Sequence, residues 1–259
     1  MEVTPQPGRP RRALRWLQGH WQLLVLTGLL YAVWNTDLAW PLRILIVMFH
    51  EISHGIAALL TGGTIVEIEL SPFEGGTAWT IGGSFFWVAS SGYLGSLLIG
   101  LALFLGAIQT GADRVILALC GAALLLTAAL YVRDSFSIFY CCSVGAIMIA
   151  IAFFLPASLS DMVLRLIGLT SMLYVPWDIY TDTIWSCPNC ISSLQKSDAA
   201  AIASYSFGTE AMWGVVWLVT AIVTIAAALR FGLGSSSNLA LRFYRSTPDP
   251  SPSRDDPPP

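Results

Sequence analysis

The sequence predicts an all-α membrane protein: a multi-pass helical bundle of about six or seven transmembrane helices with a small membrane-associated β-hairpin. Three observations predict it. Hydrophobic residues make up 55% of the 259-residue chain and charged residues only 11%, with a mean hydropathy of +0.68. An average soluble protein carries about 25% charged residues. The apolar residues fall in windows close to the roughly 20 positions that a helix needs to cross a bilayer. Between two of those windows lies a stretch with the period of a strand. This composition excludes an ordinary soluble domain and a disordered chain. A net charge of −3, with no basic stripe, excludes a nucleic-acid binder.

In chain order, residues 1–19 are Pro- and Arg-rich and read as a flexible basic arm. Residues 20–36 read as a first, uncleaved membrane segment, ended by Trp34, Asn35 and Asp37. Further windows follow at about 41–62, 85–109, 115–132, 136–155, 162–182 and 209–230, so the membrane domain is expected over 20–231. Arg133-Asp134 marks a tight polar turn, with the two charges paired. The Ser-, Pro- and Asp-rich tail, 232–259, reads as disordered. The positive-inside rule places the N-terminus, with Arg9, Arg11, Arg12 and Arg15, in the cytoplasm. Seven spans would then put Arg230, Arg242 and Arg245 on the other side. Either one window falls short of a span or the N-terminal charges outweigh the tail.

Between the second and third windows, Val66, Ile68 and Leu70 alternate with Glu67 and Glu69. That is the period of a half-buried strand. Ser71-Pro72 and Gly75-Gly76 supply a turn, and residues 77–81 can return as the partner strand. A β-hairpin over 64–81, at or in the membrane surface, is therefore expected. Small residues at 91, 92, 95, 96 and 100 predict close helix packing.

The second window contains His50-Glu51-Ile52-Ser53-His54, an HExxH sequence. Residues four apart share one face of a helix. The two imidazoles can therefore bind one Zn²⁺, with Glu51 beside them to take a proton from water. Two of the chain's three histidines lie here, inside an apolar helix. Ionisable groups at membrane depth are functional by default. His20, at the start of the first segment, reads as an interfacial residue.

Catalytic zinc takes three protein ligands and keeps one position open. With no further histidine suitably placed, the third ligand is expected to be a carboxylate. Asp161 sits at a window start beside Arg165, Asp134 beside Arg133, and Asp198 in a polar connection. Asp178 and Asp182 lie at the end of the sixth window. If the second span runs inward, His54 lies roughly 12 Å from its inner end, at 1.5 Å per residue. Asp178 falls at similar depth on the sixth. Asp178 is therefore the expected third ligand, with Asp182 as its alternative or as a supporting partner. Cys187 and Cys190 form a CxxC without the second pair that a zinc knuckle needs.

HEISHG, followed by an apolar turn, Gly62-Gly63, a short strand region and then Ser90-Ser91-Gly92-Tyr93-Leu94-Gly95-Ser96, resembles the site-2 protease group of intramembrane zinc metalloproteases. The likeness is closest to its compact branch without a PDZ domain. That group takes its third ligand from a later aspartate, usually in an LDG motif. This sequence has Trp177-Asp178-Ile179-Tyr180-Thr181-Asp182, then Ser197-Asp198-Ala199, which resembles the compact branch. The resemblance implies one zinc ion and a transmembrane protein or peptide substrate cleaved in or near the bilayer.

In this reading Glu51 is the catalytic base, and the substrate helix must unwind before hydrolysis because its amides are bonded internally. Strand addition to the hairpin, at Val66 and Ile68, is the expected way of holding the unwound segment. Two other classes fit parts of the pattern. One is a non-proteolytic scaffold or chaperone-like relative that keeps the fold. The other is a transporter, although internal repeats or paired broken helices are not visible.

Overall fold

The computed structural model describes residues 9–185, 197–234 and 236–238. Its elements are α1 (Arg9–Ala32), α2 (Trp40–Leu60), β1 (Thr64–Ser71), β2 (Gly75–Ile81), α3 (Phe85–Gln109), α4 (Asp113–Tyr131), α5 (Ser135–Phe154), α6 (Ala157–Ile179), α7 (Asp198–Tyr205) and α8 (Glu210–Gly232). Six helices are long and apolar enough to cross a membrane: α2, α3, α4, α5, α6 with its continuation to Ile184, and α8. The chain is thus a helical membrane bundle with a two-stranded antiparallel sheet.

α1 is not among the six. Its helix begins at Arg9, inside the stretch read as a flexible arm, and its apolar run covers only residues 23–32. Of the two ways out of the charge conflict, the shortfall of one window is the one seen. The 236–238 segment returns to α1, where the Ser237 amide donates to the Gly19 carbonyl at 2.9 Å. His20 is buried there, with Nδ1 2.7 Å from Ser237 Oγ. Cys187 and Cys190 lie outside the described residues.

Glycines set the closest helix approaches. A Cβ on Gly168 of α6 would lie 2.8 Å from the Gly100 carbonyl of α3, and Ser171 donates to the Ser96 carbonyl at 3.0 Å. Gly121 and Gly145 do the same for α4 and α5, where a Cβ on Gly121 would meet the Gly145 carbonyl at 2.6 Å. Without water to drive association in a bilayer, such contacts supply the packing. Arg133 turns to the Val132 and Leu130 carbonyls instead of pairing with Asp134. Asp134 instead caps α5 by accepting from the Ser137 amide at 2.9 Å, because residues adjacent in sequence do not face each other at a helix start.

The hairpin runs the length of α2 and does not lie beyond its end. At its base the Ser84 amide donates to Thr61 Oγ1 at 2.9 Å. Midway, Gly55 packs against Ile65 and Gly76 against Glu51. At the tip, Trp40 Nε1 donates to the Pro72 carbonyl at 2.9 Å, and Arg43 pairs with Glu74 at 2.7 Å. Glu74 holds a left-handed φ of 64°, a conformation that costs a non-glycine residue about 1 kcal/mol or more. The ion pair helps to hold it there. Leu70 of β1 also donates its amide to Ser137 Oγ of α5 at 2.7 Å. Ile68 and Leu70 are buried in the helical core.

Candidate metal centre

α2 places His50 and His54 one turn apart, with rings edge to face and centroids 4.6 Å apart. The nitrogen Nε2 of each approaches one oxygen, Asp198 Oδ2, at 3.0 Å from His50 and 3.1 Å from His54. These three donor atoms lie within 4.8 Å of one another and can hold a metal ion. Ligand bonds of about 2.0–2.1 Å put the corners of a tetrahedron roughly 3.3 Å apart, close to the spacing found.

α3 forms the second wall. His54 Nδ1 stands 2.6 Å from the Val88 carbonyl. A carbonyl can only accept, so Nδ1 carries the proton and Nε2 keeps its lone pair for a metal, the arrangement typical of ligating histidines. Gly92 lies directly against both imidazoles. A Cβ there would clash with His50 Nε2 and come within 2.6 Å of His54 Cε1. Only glycine fits.

Asp198 reaches the histidines at the first turn of α7. Ser197 caps that helix by accepting from the Ala200 amide at 3.1 Å, and its hydroxyl bonds Glu210 of α8. Burial by itself would raise the Asp198 pKa. When both imidazoles are protonated their charge outweighs burial and holds the carboxyl well below the usual range.

Glu51 is buried next to this set. Strand β2 lies directly against its carboxylate. Gly76 of β2 leaves room for it: a Cβ there would stand 2.7 Å from Glu51 Oε1. The donors, Glu51 and β2 line a cavity of about 1290 Å³ that also takes in Tyr93, Asp178, Asp182 and Glu210.

The structure brings His50, Glu51 and His54 together, and the carboxylate oxygen within reach of both Nε2 atoms is that of Asp198, where Asp178 was the expected one. Asp178 lies in the same cavity. Asp182 accepts from Tyr93 at 3.1 Å. Asp178 lines the cavity, but position along a helix does not select the oxygen that reaches both Nε2 atoms. Asp198 arrives from outside the spans, on α7. Val66 and Ile68 do not line the cavity: Val66 sits at the register shift of β1, and Ile68 is only 1% exposed, in the core. β2 supplies the strand that faces the site. Sequence reasoning also missed Val88, whose role rests on a backbone carbonyl, and it gave Gly92 to close packing without the imidazoles it meets.

Fold and site together define a multi-spanning membrane protein with an HExxH donor set at its centre. The chain belongs to the Peptidase M50B-like family, within the site-2 protease group, and the family model matches residues 23–228. No curated protein and no solved structure matches it. Among the described residues the hairpin is the only sheet, with no PDZ-like domain beside it.

Proposed function

We propose that this protein is an intramembrane zinc endopeptidase that hydrolyses peptide bonds of membrane-protein substrates within or near the bilayer. The observation that carries the reading is the convergence of two imidazole nitrogens and the Asp198 carboxylate beside a buried glutamate. His50, His54 and Asp198 would hold the ion. Zinc, when bound, acidifies water and polarises a scissile carbonyl.

Glu51 takes the proton from the attacking water and delivers it to the leaving amine. Gly76 lets strand β2 close over the Glu51 carboxylate. β2 runs along the cavity, and an unwound substrate segment laid against it would be held extended. Six spans put both ends of the spanning set on one side. With positive charge inside, that side is cytoplasmic, and Arg15 and Arg230 share it.

The experiment is zinc analysis of the purified full-length protein with a cleavage assay on a transmembrane reporter. His50→Ala is expected to lose zinc. Glu51→Gln is expected to keep zinc while cleavage falls by about 10²–10⁴-fold. Undiminished cleavage by Glu51→Gln would remove the protease reading, and zinc-loaded wild type without cleavage would favour the non-proteolytic relative.

A further inference from the structure

Tyr93 is not a donor, yet it joins the donor set to α6. Its ring meets the His50 imidazole edge-on, with centroids 4.6 Å apart and planes at 83°. Its hydroxyl donates to Asp182 Oδ2 at 3.1 Å. Trp217 of α8 packs on the ring at 5.6 Å, and only 2% of Tyr93 is exposed. A side chain so enclosed has no other rotamer to take without displacing its neighbours.

Asp182 is itself held. After Pro176, α6 widens into one π turn, Tyr180–Ile184, closed by the Trp185 amide bonding the Tyr180 carbonyl at 2.9 Å. Such turns are rare and often mark functional sites. Thr183, in the same turn, donates to the Ile179 carbonyl at 2.6 Å and packs directly on Gly214 of α8. The carboxylate that receives the Tyr93 hydroxyl therefore stands on backbone anchored to a second span.

The two histidines differ in how their planes are set. His54 is tied through Nδ1 to the Val88 carbonyl. His50 has an aromatic edge against it, and an edge contact orients a ring only when its partner cannot turn. We propose that Tyr93 and Asp182 are positioning residues for His50: the Asp182 carboxylate locks the Tyr93 ring, and the ring sets the imidazole plane for metal binding. This rests on the reading of His50, His54 and Asp198 as a metal centre.

The test uses the detergent-solubilised full-length protein, titrated with Zn²⁺ and with Co²⁺, whose visible d–d bands report ligand geometry. Tyr93→Phe keeps the edge but loses the lock. Its zinc affinity is expected to fall by about 10-fold or more, the range seen when the partners of metal ligands are removed, and its Co²⁺ bands to shift. Asp182→Ala is expected to match it. Asp182→Asn, which keeps an acceptor for the hydroxyl, is expected to restore most of the affinity. Tyr140→Phe is the comparator for general loss of packing. That tyrosine is also buried and donates to the Pro41 carbonyl, at the start of α2 and nine residues before His50.

Wild-type affinity and spectrum in both Tyr93→Phe and Asp182→Ala would overturn the inference and leave the metal centre standing. So would an equal loss in Tyr140→Phe. If Tyr93→Phe does not fold, the contrast between Asp182→Ala and Asp182→Asn decides alone. A wild-type protein that binds neither ion would overturn the metal centre, and this inference with it.

Discussion

Helices α2 and α6 differ from α4 and α5 in how much of themselves they hide. Within their apolar windows, 61% of the positions of α2 and of α6 are buried, against 22% of α4 and 33% of α5. The hidden pair is the less apolar one. It carries His50, Glu51, His54, Asp161, Arg165 and Asp178, whereas α4 and α5 turn Leu119, Leu126, Phe139 and Ile147 outward. In water the apolar helices would be driven inside. In a bilayer hydrocarbon solvates leucine as well as a neighbouring helix does, whereas an ionisable group facing lipid costs several kcal/mol. Burial in this bundle therefore follows chemistry, and the polar helices are the ones surrounded.

The sharpest way to break that contrast is to remove a polar group from the centre. Asp198→Ala is expected to lose bound zinc, whereas Asp178→Asn, in the same cavity but away from both Nε2 atoms, is expected to keep it. Metal content of the two purified variants checks the pair. Zinc loss in Asp178→Asn with retention in Asp198→Ala would reverse the ligand assignment.

Next in size are the two glycine contacts. Gly92→Ala and Gly121→Ala each force a Cβ into a filled space, an overpacking worth typically 1–3 kcal/mol. Only Gly92→Ala is expected to lower zinc affinity as well, because only there are the displaced atoms imidazoles. Thermal unfolding alongside metal titration separates the two effects.

A smaller effect is expected at the hairpin tip. Arg43→Ala removes the partner that holds Glu74 at positive φ, so the amides around residues 72–76 should exchange faster while those of α2 stay protected. Hydrogen exchange read by mass spectrometry checks it. The smallest effect belongs to the outward face of α4. Leu126→Ile is expected to change stability by no more than about 0.5 kcal/mol. A large loss there would mean that this face packs against protein.

Much of this was legible residue by residue. The six spans follow from runs of apolar residues, and the hairpin from the alternation at Val66, Ile68 and Leu70. The His50–His54 face follows from the four-residue spacing. Where the structure places residues differently from these expectations, the cause is a common one. α1 was taken as a span because an apolar stretch of ten residues was joined to polar flanks. Val66 and Ile68 were given to a substrate because alternation reveals two faces of a strand but not which one meets the helices. Asp178 was preferred over Asp198 because depth along a helix is visible in sequence, while the route of the chain through α7 is not.

Local periodicity belongs to neighbours in the chain, so the sequence by itself determined the long apolar helices, the strand pair and the presence of a two-histidine face with its glutamate. Only the tertiary structure decided which carboxylate meets that face, since His50 and Asp198 are 148 residues apart. Their meeting depends on Gly92 letting α3 lie against the rings and on Ser197 starting α7 at the cavity wall. It also decided that β2 guards Glu51 and that Tyr93 stands between His50 and Asp182. Those contacts arise from packing among several helices at once, and no single segment of the sequence encodes them.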